Sequence, residues 1–194
     1  MNAYNNTIQV NDKTNAFVLG KINLNIGMND LDYPAVDMAN EMLGGGAFLS
    51  SRIPERLREV EGMSYGAGSF VSGNGIDKTG DWGVYAYFNP SFKDKLDNAL
   101  KEEIQKAMNK GFTQEEFDAS LKSWLQQRQT MLGTDEFLAT QLREYLDQNK
   151  TFKTYSDYED KAKALDVTKV NTAMKKYFNL QKFVLIYAGD FTKK

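Results

Sequence analysis

Strand-like and helix-like periods occupy separate blocks of this chain, and that segregation constrains the fold more than any single motif. Residues 16–26 alternate, with Ile22, Leu24 and Ile26 apolar and Lys21, Asn23 and Asn25 polar, which predicts a half-buried strand. Residues 64–71 and 82–88 read as two further strands, the second alternating Trp82, Val84, Ala86 and Phe88 with Gly83, Tyr85 and Tyr87. The turn-rich SGNGIDKTGD between them predicts a hairpin. Residues 182–188, KFVLIYA, are apolar enough for a strand inside a sheet.

Helical spacing fills most of the rest. Asp30-Leu31-Asp32-Tyr33-Pro34 is a start signal, an Asp cap followed by Pro in the first turn. Val36, Ala39, Met42 and Leu43 continue that helix until Gly44-Gly45-Gly46 cap it. Residues 50–60 predict a short helix with Ile53, Leu57 and Val60 on one face. A longer helix opens at Pro90-Ser91, carries Phe92, Leu96, Leu100, Ile104 and Met108 at i, i+4 steps, and closes at Gly111. Thr113-Gln114-Glu115-Glu116 is a capping box for the next, through Phe117, Leu121, Trp124, Leu125 and Met131. Beyond a break at Gly133, helical stretches follow at 137–146, 155–165 and 168–178. The order predicts an α+β fold, a mostly antiparallel sheet with helices packed on one face. Residues 1–14 read as a polar leader or linker, and 15–194 as a single domain.

Histidine and cysteine are both absent from the 194 residues. That excludes Ser-His-Asp and Cys-His chemistry, an H-x-x-E-H helix, and the usual nitrogen and thiolate zinc ligands. A metal site would need carboxylates alone. The closest groupings, Asp30 with Asp32 and Glu159 with Asp157 and Asp160, read as caps and solvated faces. A net charge of −2 gives no electrostatic case for nucleic acid or an anionic membrane. No apolar run approaches the roughly 20 residues of a membrane span, and the polar N-terminus does not read as a signal peptide. The missing cysteine is compatible with any compartment.

The run from Leu43 to Ser69, LGGGAFLSSRIPERLREVEGMSYGAGS, concentrates the candidate chemistry. Its three glycines do not make a phosphate cradle, because a helix ends there rather than begins and G-x-x-x-x-G-K-[ST] is not present. Arg52, Arg56, Arg58 and Tyr65 admit two readings. In one, an amphipathic helix keeps its arginines in solvent and is followed by a strand with an aromatic residue. In the other, Arg58 at the helix end and Tyr65 at the strand start point to one side. A guanidinium fork and a phenol donor there could hold a peptide carbonyl. Spacing alone does not choose between them.

LGGG, SSR and LRE-x-x-G-x-x-Y-G together resemble the signature of the non-catalytic, C-terminal half of pitrilysin/insulinase-type zinc metallopeptidases. That superfamily includes the mitochondrial processing peptidases and the core proteins of the cytochrome bc1 complex. Asp30-x-Asp32-Tyr33-Pro34-Ala35, Ala39-Asn40-x-x-Leu43-Gly44-Gly45, Gly111-Phe112-Thr113-x-x-Glu116 and the final Gly189-Asp190 extend the resemblance over nearly the whole chain. It implies a sheet-and-helix fold in the order read above. It also implies a division of labour between two homologous halves that close on a peptide. The first half holds zinc through two histidines and a glutamate, with a further glutamate as general base. The second supplies an Arg and a Tyr, seven positions apart, that position the substrate and stabilise the oxyanion.

Arg58 and Tyr65 match that pair in type and spacing, while Ser50, Ser51 and Arg52 are expected to serve as helix start and scaffold. The resemblance therefore implies a substrate-binding half of a metalloendopeptidase, inactive alone. Zinc is expected in an N-terminal partner half, fused or separate, and not in this chain. A bacterial secreted parent would place it in the periplasm or another extracytoplasmic space. The alternatives are a structural or assembly subunit that keeps the fold without proteolysis, and an autonomous enzyme using carboxylate or Ser/Lys chemistry.

Overall fold

A computed structural model of the chain describes residues 4–46 and 51–192. Among these, the strands are β1 (Tyr4–Gln9), β2 (Ala16–Leu24), β3 (Ser64–Gly73), β4 (Gly80–Phe88) and β5 (Val184–Gly189). They form one sheet in the order β1-β5-β2-β4-β3. Pairing is antiparallel except between β1 and β5. The helices are α1 (Tyr33–Asn40), α2 (Arg52–Pro54), α3 (Lys93–Lys110), α4 (Gln114–Met131), α5 (Asp135–Asp147), α6 (Lys153–Lys163) and α7 (Val167–Tyr177). The predicted α+β architecture is the one observed.

Alternation decides which face of the sheet is covered. Val18, Ile22, Leu24, Trp82, Val84, Ala86, Phe88, Leu185 and Tyr187 are buried beneath the helical layer. The residues between them, Phe17, Leu19, Tyr85, Tyr87 and Ile186, lie on the opposite, open face. Two groups of the covered side are tied by one amide: Ser69 Oγ (2.7 Å) and Trp82 Nε1 (3.2 Å) both donate to Asn40 Oδ1. This fixes the end of α1 to β3 and β4 at a fully buried point, where an unpaired polar group would be costly.

Three local expectations are corrected and one is refined. Tyr4–Gln9, inside the stretch read as a leader, pairs with β5 over its whole length. All six of its side chains are exposed, so hydrogen bonds to β5 hold it and no apolar period marks it in the sequence. Asp32 occupies the cap position of α1 but makes no side-chain cap bond; its Oδ2 accepts instead from Lys176 Nζ (2.6 Å) and Tyr177 Oη (2.9 Å).

The glycines after α1 do end the helix as expected, with Gly46 at the C-cap, but without a left-handed conformation. α1 runs on as a π-turn over Glu41–Gly45, and the glycines with positive φ lie elsewhere, at Gly62 and Gly111. Gly44 instead permits close approach: a Cβ there would stand 2.7 Å from the Ser69 amide nitrogen. Finally, α2 continues as a π-turn over Glu55–Val60, with Glu61 N donating to Arg56 O. The wider turn keeps Ile53 and Leu57 buried but rotates Val60 outward, leaving it 69% exposed.

Candidate functional site

The three arginines of the α2 segment have different environments. Arg52 is 13% exposed at its side chain and makes a bidentate pair with Glu116, at 2.6 and 2.8 Å. It also donates to Gly111 O (2.9 Å) and lies over the Phe112 ring. The same Glu116 closes the capping box of α4 with Thr113, and Arg52 helps hold its carboxyl below the usual range against the opposing effect of burial. Arg52 is thus scaffold, as expected; the expected helix residue Ser50 lies outside the described residues. Arg56 bridges Glu61 (3.0 Å) and Glu102 (3.4 Å). Arg58, in the last turn of the segment, keeps 43% of its side chain accessible beside Glu59.

Tyr65 reaches the open face through a break in register. Ser64 opposes Phe88 and Gly66 opposes Tyr87, so Tyr65 is an extra residue in β3, a β-bulge. The buried Ala67 and Ser69 face the helices, and strict alternation back from them would bury Tyr65 as well. The bulge reverses that. Tyr65 is 58% exposed and its ring stacks on Tyr87, with centroids 5.7 Å apart. Tyr87 in turn packs against Phe17 (4.6 Å) and Tyr85 (6.4 Å). The sequence carried one sign of this: a glycine, Gly66, directly after Tyr65 inside a strand pattern.

Both candidate residues sit on open surface. The large cleft of about 930 Å³, between α3 and the β1–β5 edge, is lined by Lys101, Lys106, Lys110, Leu180 and Phe183 and includes neither of them. Where the π-turn leaves α1, burial and secondarily the charge of Asp37 push the Glu41 carboxyl up to about 7. The folded state therefore binds a proton more tightly than the unfolded chain. Glu41 stabilises fully below about pH 4.5 and that contribution is lost as pH rises through 7, a swing on the order of 3 kcal/mol. Replacing Glu41 by Gln is expected to raise the melting temperature at about pH 8 and leave it nearly unchanged at about pH 4.5. Melting curves of the two proteins that stay parallel across this range would contradict that assignment.

The profile of the peptidase M16 inactive domain matches residues 5–123. The chain belongs to this family. Among solved structures, it is similar to the peptidase M16 inactive domain from Pseudomonas fluorescens, with a TM-score of 0.81 and 23% identity over 97% of this chain and 43% of that one. A protease from Helicobacter pylori gives 0.83 and 18% over 96% of this chain and 44% of that one. The inactive peptidase domain of a candidate zinc protease from Bordetella parapertussis gives 0.74 and 18%, over 90% of this chain and 92% of that one. This chain thus spans less than half of the first two. No curated protein matches it.

As an M16 inactive domain, the chain does not fit the zinc of the wider peptidase family. It has no histidine or cysteine, and the described residues hold no group of three acidic side chains that could replace them. Among the described residues no helix is long and apolar enough to cross a membrane. The family this chain belongs to is described as an inactive domain of M16 peptidases.

Proposed function

We propose that this M16 inactive domain is the substrate-binding half of a zinc-dependent endopeptidase, clamping a peptide against a zinc-bearing half, with Arg58 and Tyr65 directed at the scissile carbonyl. The observation that carries this reading is the β-bulge that turns Tyr65 out of the helix-facing side and onto the open face. A buried tyrosine at that position would fill core; an exposed one offers a hydroxyl to a ligand. Arg58 supports the same reading: paired with Glu59 at 3.3 Å, it still keeps 43% of its side chain accessible in the turn leading to β3.

In this reading an accessible guanidinium in the turn before β3 and a phenol on the open sheet face form one wall of a site. A carbonyl becoming an oxyanion gains more from such donors than the ground-state amide does, provided water is excluded. The second wall, and the reacting centre, then belong to the partner half. The isolated chain is expected to hold no stoichiometric zinc and to cleave no peptide. Metal analysis finding one tightly bound zinc per chain, or cleavage of an unstructured peptide by the purified chain, would overturn the assignment.

A further inference from the structure

We infer that Ser64 is a positioning residue, its hydroxyl clamping the β-bulge that holds Tyr65 against Tyr87 on the open face; this rests on the role proposed for Tyr65. A bulge breaks the hydrogen-bond ladder, and something must pair the groups it releases. Ser64 Oγ does so with both of its capacities. It donates to Tyr87 O at 2.7 Å and accepts from Gly66 N at 3.2 Å. One buried hydroxyl therefore joins the residue before Tyr65, the residue after it and the residue beneath its ring.

The alternative register is within reach of the same strand. Removing the bulge would restore alternation and send Tyr65 to the helix-facing side, occupied by close-packed Ala67, Ala86 and Phe88. The serine hydroxyl opposes that slip with two hydrogen bonds, and the Tyr87 ring supplies a platform for Tyr65. An alanine at position 64 keeps the size of the residue and loses the clamp.

The first test uses the isolated chain carrying ring-labelled tyrosine. Ser64→Ala is expected to shift the Tyr65 ring resonances away from their stacked position, and Ser64→Thr, which retains the hydroxyl, to leave them closer to wild type. Unchanged Tyr65 resonances in folded Ser64→Ala would overturn the inference whatever the peptidase does. If Ser64→Ala does not fold, Ser64→Cys, which keeps the size and weakens both hydrogen bonds, is the substitute and must move the same resonances, unchanged resonances again overturning the inference.

The second test uses the peptidase assembled from this chain and its zinc-bearing half. Ser64→Ala is expected to lower kcat about tenfold with little change in KM, and to cost nothing further in a Tyr65→Phe background. An equal loss in both backgrounds would show that Ser64 acts other than through Tyr65. If instead Tyr65→Phe itself leaves kcat/KM unchanged, the proposed function of the pair fails, an outcome separate from the resonance test of the clamp.

Discussion

Tyr65→Phe and Arg58→Ala are each expected to lower kcat/KM of the assembled peptidase by about 10²-fold or more, the scale of losing one oxyanion donor. Neither change should destabilise the domain appreciably. Tyr65→Phe keeps the ring that stacks on Tyr87 and removes only an exposed hydroxyl. Arg58→Ala removes a half-exposed side chain whose neighbour Glu59 is also well solvated, and such pairs contribute little to stability. If the donors act mainly in the transition state, the loss appears in kcat rather than KM. A change below about threefold in both variants, with folding intact, would return the pair to a solvated arginine and a surface aromatic.

Glu116→Ala is expected to behave in the opposite way, lowering the unfolding free energy by about 3 kcal/mol. The substitution leaves the Arg52 guanidinium largely buried with only Gly111 O and the Phe112 ring for company. It also opens the capping box, since Glu116 Oε2 accepts from Thr113 N at 2.7 Å. Denaturant unfolding measures this directly, and a loss under about 1 kcal/mol would mean that the pair is merely solvated. The two sets of variants separate two arginines six residues apart on one short segment: Arg52, which holds Glu116, and Arg58, proposed to address the ligand.

Much of the fold was legible because its elements obey the simple periods. The capping box at Thr113–Glu116, the stop at Gly111 and the alternation of β4 all appear where the residues predict them. What was not legible depends on partners distant in sequence. β1 has no buried side chain, so only its pairing with β5, some 180 positions away, defines it. Asp32 looks like a cap but finds Lys176 and Tyr177 from α7. Gly44 looks like a helix stop but makes room for the Ser69 backbone. Val60 fits an α-helical face and is turned outward by a π-turn that no propensity announces.

The candidate pair divides in the same manner. Arg58 and Tyr65 were singled out by the family resemblance, which they match in type and spacing, whereas the reason Tyr65 is exposed was not legible. It depends on a one-residue register shift against β4 and on the Ser64 hydroxyl that spans it. Glu41, whose carboxyl is pushed up to about 7 by burial and secondarily by the charge of Asp37, has no local mark in the sequence.

The most direct test of the account compares peptide cleavage by the zinc-bearing half alone with cleavage after this chain is added. The account predicts that the zinc-bearing half alone is at least about 10²-fold slower, that adding this chain restores cleavage, and that the Arg58→Ala, Tyr65→Phe double variant does not. A zinc-bearing half that cleaves equally well without this chain, or a double variant that restores full activity, would contradict it.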